Sequence, residues 1–125
     1  MTKPVVFVTI DTEEDDWGQY DCADPEVTNG ARLPDFQALC DRYGAVPTYL
    51  ANWPMIANDS ARDVLRDLLA EGRCEIATHI HPWNTPPVTE SVGPRNSMLC
   101  NLPGDLVAEK LHVPDTLGQR LLESS

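Results

Sequence analysis

Three short apolar runs divide the chain, each closed by a polar cluster or a turn. The first, Val5 to Ile10 (VVFVTI), is continuous and rich in β-branched residues, which suits a strand buried on both faces of a parallel sheet. It runs directly into Asp11-Thr12-Glu13-Glu14-Asp15-Asp16. Residues 14 to 33 hold no period, and Gly18, Pro25 and Asn29-Gly30 mark a long loop of the length that usually serves a function. Helical spacing begins at Leu33 and continues to Tyr43. Pro34 suits its first turn, Phe36, Leu39, Cys40 and Tyr43 form one stripe, and Gly44 is the expected stop.

Ala45 to Leu50 is the second strand candidate, with Pro47 placed at its beginning. A loop through Trp53-Pro54 leads to a helix capped by Asp59 or Ser60 and ended by Gly72. Ala61, Val64, Leu65, Leu68 and Leu69 make its apolar face. The third strand candidate, Cys74 to His81, alternates so that Ala77, His79 and His81 share one face. Prolines at 82, 86 and 87 stop it, because each removes a backbone donor. The pattern then fades. A helix is expected over Leu106 to Leu111, closed by Pro114, with a last helical turn or two from Asp115 to Leu122. The order βαβαβ implies an α/β domain with a parallel sheet of at most three strands and helices packed on it. We expect one domain over residues 1–125, with 88–125 as an irregular tail. So small a sheet suggests an incomplete α/β unit.

Composition narrows the partners. Twenty acidic against nine basic residues give a formal net charge of −11. Phosphate contacts need Lys and Arg, so nucleic acid and anionic membrane surfaces are not expected partners. The N-terminal apolar run passes straight into acids without a cleavage site, and no stretch reaches the ~20 apolar residues of a membrane span. A cytoplasmic location and reduced thiols at Cys22, Cys40, Cys74 and Cys100 are therefore expected, the thiols as core residues.

The candidate chemistry joins two strand ends. In a parallel sheet, Asp11, Glu13, His79 and His81 lie at the same C-terminal edge, where open α/β sheets and barrels bind ligands. Two imidazoles and one carboxylate form a common divalent-metal set with a position left for water. Zinc suits such nitrogen and oxygen ligands, and iron, cobalt or manganese also fit. A second carboxylate off the metal serves as general base, so Asp11 and Glu13 divide these roles between them. The bland alternatives stand beside this. A His-x-His pair and an acidic loop both occur without metal, His112 reads as a surface residue, and Trp53 and Trp83 are either substrate platforms or caps on the core.

TIDTEED after the first strand and EIATHIHPWNTPP after the third resemble the polysaccharide deacetylase family. The segment NSMLCNLPGDLVAEKL is also similar to members that carry HxHPWNTPP, so the resemblance covers residues 4 to about 111. It implies a distorted (β/α) barrel that hydrolyses acetyl groups on sugars with a divalent metal, typically zinc. It implies Asp11 as general base, Glu13, His79 and His81 as metal ligands, an acetylated carbohydrate substrate, and Pro82 after the second histidine; Trp83, a platform candidate, is then the expected substrate-binding residue. Two departures qualify it. The family usually places three residues between its histidines, and here there is one. Its later arginine and leaving-group histidine have no match after Pro87, since Arg95, Arg120 and His112 lack the context. The resemblance thus implies the first half of such a domain. A non-catalytic fragment that binds metal or carbohydrate is the alternative. A haloacid-dehalogenase phosphatase with Asp11 as nucleophile would need Asp at position 13, and an amidohydrolase barrel would carry its His pair after the first strand.

Overall fold

A computed structural model describes residues 2–21 and 23–122, so Cys22 lies outside the described residues, as do the side chains of 114–120 and 122. Three parallel strands, β1 (Val8–Thr12), β2 (Pro47–Ala51) and β3 (Glu75–Thr78), lie in the order β1-β2-β3. Around them are α1 (Leu33–Arg42), the short α2 (Trp53–Ala57), α3 (Asp59–Ala70) and α4 (Gly104–Leu122). The class is mixed α/β, as the periodicities require.

One face of the sheet carries the core. Tyr49 and Ala51 of β2 are buried with Met55, Ile56, Leu65 and Leu68, and Ile10, Phe36 and Ile76 pack against this cluster. Burying a side chain as completely as Leu65 contributes about 1.5–3 kcal/mol. The other face differs. Thr9, Asp11, Glu75 and Ala77 are exposed there, and Thr48 and Leu50 half-buried. The sheet is therefore covered on one side, not on both as the first apolar run suggested.

That run also pairs differently. The ladder starts at Val8 opposite Pro47, because β2 begins there. Val5, Val6 and Phe7 precede it and are 76%, 81% and 86% exposed. The strand instead extends forward through Asp11 to Thr12. In α1 the inward stripe is Leu33, Phe36, Gln37 and Cys40, while Leu39 and Tyr43 face solvent. Gln37 replaces the expected apolar residues because it is satisfied inside. Its Oε1 accepts from Tyr49 Oη at 3.0 Å, and its Nε2 donates to Asp41 and to the Arg73 carbonyl. The cap of α3 is Asn58, one residue before the expected pair, with Oδ1 accepting from Ala61 N at 3.0 Å. Gly44 and Gly72 close α1 and α3 at φ +65° and +69°, as their positions predict.

Pro114 does not end the last helix. Its missing N–H costs the bond to the Lys110 carbonyl, but α4 continues through it to Leu122. The irregular tail is confined to residues before Gly104, where short 3-10 turns occupy Pro94–Ser97 and Leu99–Asn101. Lys110 of α4 is fully buried. Its Nζ donates to the carbonyls of Pro82 at 2.8 Å, Thr85 at 2.8 Å and Pro87 at 2.6 Å, and lies 3.0 Å from Glu90 Oε1. A charge so placed is tolerable only because every proton has a partner. Lys110 therefore ties α4 to the loop that follows His81.

Candidate metal centre

The two strands that carry the candidate ligands are separated by β2, so the site forms across the end of the central strand. Ladder bonding runs one step past the strands. Asn52 N–H donates to the Thr12 carbonyl at 3.1 Å, and His79 N–H to the Ala51 carbonyl at 2.9 Å. This register sets Glu13, Asn52 and His79 level with one another. The acidic segment is held in place by its own third acid. The Asp15 carboxylate accepts from Thr28 N, Thr28 Oγ1 and Asn29 N, and Asn29 Nδ2 donates to the Glu13 carbonyl at 2.8 Å. The Thr28 hydroxyl, followed by the Asn29 amide, keeps the Asp15 carboxyl below its ordinary range.

The four residues predicted from the strand ends converge. His79 Nε2 and His81 Nε2 are 2.8 Å apart. Glu13 Oε2 lies 3.1 Å from His81 Nε2 and 3.7 Å from His79 Nε2. Glu13, His79 and His81 thus offer one ligand atom each, all within 4.8 Å of one another. The nearest point equidistant from three atoms at those separations is about 1.9 Å from each, and points slightly out of their plane reach the ~2.0–2.1 Å of zinc–nitrogen and zinc–carboxylate bonds. The group has the donor types and spacing to hold a metal ion. Asp11 stands beside it, its Oδ1 3.4 Å from His79 Nδ1, with the side chain 62% exposed.

Burial raises the Glu13 carboxyl above its usual value; His81 and His79 offset this in part, and Glu14 and Asp11 add to it. A cation at the three donors would stabilise the charged form of such a carboxyl.

Three residues of this site, Glu14, Asn52 and Asn84, escaped the sequence pattern. Glu14 is 4% exposed despite its place in an acidic run. Its Oε1 accepts from Asn84 Nδ2 at 2.9 Å, its Oε2 accepts from Asn52 Nδ2, and Oε1 lies 3.6 Å from His81 Nδ1. Burial pushes this carboxyl up, but the His81 and Asn52 contacts outweigh it, with a net lowering. Asn52 is buried at the end of β2, and its Oδ1 accepts from Met55 N at 3.4 Å to cap α2. One signal for Asn52 was available: it lies just past the second strand candidate and so belongs to the same edge as Glu13 and His79.

Trp83 is set against the metal group. Its indole stacks on the His81 ring, with centroids 4.3 Å apart and planes at 17°, and meets Tyr20 edge-on at 5.0 Å. With Trp53, Asn84, Asp24, Pro25 and Val88 it also lines a cavity of about 490 Å³. Trp53 packs against the core as well. His112 is exposed on α4. Cys40 and Cys74 are buried free thiols, as expected, whereas Cys100 is exposed. Among the described residues no helix is long and apolar enough to cross a membrane.

Comparison with known proteins finds no matching family model, no similar curated protein and no similar solved structure.

Proposed function

We propose that this chain carries the metal centre of a hydrolase that removes acetyl groups from a polysaccharide or sugar precursor, within the first half of a deacetylase-like (β/α) barrel. The observation that carries this is the convergence of Glu13, His79 and His81 on one point with Asp11 at its margin. Zinc is the proposed ion, since one carboxylate and two imidazoles match its donor preferences. A divalent ion held there supplies Lewis acidity toward an acyl carbonyl and toward water. Glu13, His79 and His81 hold it. Asp11, the exposed carboxylate, takes the proton of the attacking water as general base. Trp83 fixes the plane of the His81 ring and offers an aromatic wall to a sugar in the adjoining cavity.

A second reading is favoured by a separate observation. The leaving amine needs an acid, and the deacetylase resemblance calls for an arginine beside the base. Among the described residues, Arg32, Arg62, Arg66 and Arg73 are engaged with Asp35, Asp59, Asp63, and Asp41 and Glu71 respectively, and Arg42 at the end of α1 and Arg95 in the Pro94–Ser97 turn are exposed. A non-catalytic protein that binds metal or carbohydrate would keep the ligand group and lack those two parts.

One experiment separates the two. The purified chain is loaded with zinc and incubated with an N-acetylated oligosaccharide, and free acetate is measured. Zinc-dependent acetate release that Asp11→Asn abolishes supports the hydrolase. Tight zinc binding with no acetate release supports the binding protein. A chain that retains no zinc after dialysis refutes the metal centre itself.

A further inference from the structure

Glu14 stands in a run of four consecutive acids, yet it is withdrawn from solvent and held by two amides from distant parts of the chain. We propose that Glu14 is a positioning residue for His81: its carboxylate is the acceptor for the Nδ1–H of that ring, and it thereby directs Nε2 to the ligand group. The inference rests on the assignment of Glu13, His79 and His81 as a metal group.

A neutral imidazole has one donor and one acceptor nitrogen. A ring that offers the Nε2 lone pair to a metal carries its proton on Nδ1. His81 is 7% exposed, so that Nδ1–H needs an acceptor from the protein. Two side-chain groups stand near it, Asn52 Nδ2 at 3.4 Å and Glu14 Oε1 at 3.6 Å. Asn52 Nδ2 is itself a donor. Its amide cannot turn over without cost, because Oδ1 is engaged by Met55 N at the start of α2 and Nδ2 by Glu14 Oε2. That leaves the Glu14 carboxylate as the acceptor. The 3.6 Å separation exceeds a closed hydrogen bond by roughly half an ångström, and among the described residues no other side-chain acceptor stands nearer. Trp83, stacked flat on the ring, resists its tilting.

Asp11 has a comparable relation to the other ring, 3.4 Å from His79 Nδ1, but it is exposed at the mouth of the site. Glu14 lies behind His81, where Asn52 and Asn84 close around it. It acts through the imidazole and not on a substrate.

The test uses the full chain with ¹⁵N-labelled histidine, zinc affinity measured by chelator competition, and the ring N–H signals of the zinc-loaded protein. The expected result is a slowly exchanging Nδ1–H on His81 in the wild type. Glu14→Gln should weaken zinc binding about tenfold to a hundredfold and speed exchange of that proton, with the His79 signals unmoved. Glu14→Asp should restore part of both. Wild-type zinc affinity and an unchanged His81 signal in Glu14→Gln would overturn the proposal. Should that variant fail to fold, the wild-type spectrum decides, since a His81 proton on Nε2 in the zinc-loaded protein also overturns it. A wild-type chain that binds no zinc removes the metal assignment and this inference together. Zinc binding that is indifferent to Glu14 removes this inference alone.

Discussion

His81 Nε2 lies 2.8 Å from His79 Nε2, and the opposite edge of the His81 ring faces Glu14. Two imidazoles from one strand end are thus turned inward on each other, with a spacing at which they and Glu13 could share an ion. Single substitutions should separate their contributions. His79→Ala and His81→Ala are each expected to lower zinc affinity at least about a hundredfold, measured by metal content after dialysis. Only His81→Ala should also change Trp83 emission, because only His81 is stacked on the indole. Equal effects on Trp83 emission from both variants would contradict the geometry.

Lys110 should be among the most costly positions to change. Lys110→Met leaves three buried carbonyls and the Glu90 carboxylate without their donor. A loss of about 3–5 kcal/mol in denaturant unfolding is expected, as when one partner of a buried ion pair is removed. Hydrogen exchange offers a local readout in the same variant. The Asn84 and Thr85 amides, both bonded to the His81 carbonyl, should lose protection first.

Tyr49 links stability to alkaline pH. Burial of its phenol, with Cys40 and Cys74 adjacent, pushes its pKa from 10.0 up to about 12. The folded state therefore binds this proton more tightly than the unfolded state does. Its contribution is fully present below about pH 10 and is lost as pH rises from about 10 to 12, at most about 3 kcal/mol in all. Absorbance titration should show Tyr49 ionising only with unfolding, after the other tyrosines. Tyr49→Phe should remove that pH step and cost about 1–2 kcal/mol at neutral pH, since Gln37 Oε1 loses its donor.

The described thiols should differ sharply in reactivity. Cys100 is exposed, whereas Cys40 and Cys74 are buried, and burial raises the Cys74 thiol above its ordinary value. Brief alkylation of the native chain followed by peptide mapping should label Cys100 and spare Cys40 and Cys74. Denaturation should remove the difference.

How much of this was visible beforehand follows from the range of each interaction. The three strands, the shared face of His79 and His81, and the stops at Gly44 and Gly72 are local, so period-two alternation and turn chemistry find them, although each strand ends one to three residues from its expected place. Glu14 is not local. Its burial depends on Asn52 and Asn84, which reach it from the end of β2 and from the loop that follows His81. In sequence it is one acid among four, and an acidic run reads as solvated. Lys110 fails for the same reason, because a charged residue in a helix reads as an outward position until the carbonyls that meet it are known. Val5 to Phe7 fails conversely. Its composition expresses strand propensity, but whether a partner lies alongside depends on where β2 begins. Gln37 shows that a helix stripe includes an amide where the tertiary fold supplies acceptors and donors for it.

The carbonyl cluster around Lys110 Nζ has the make-up of a monovalent-cation socket: three backbone oxygens and a carboxylate around one positive charge. Here the cation is tethered to α4, so it cannot be exchanged, competed away by salt or removed by a chelator. The segment that holds Pro82, Thr85 and Pro87, and with them the setting of His81, is fastened by a plug built from the far end of the chain. Ionic strength and chelators should therefore act on the ligand group alone, while the loop that presents it stays closed.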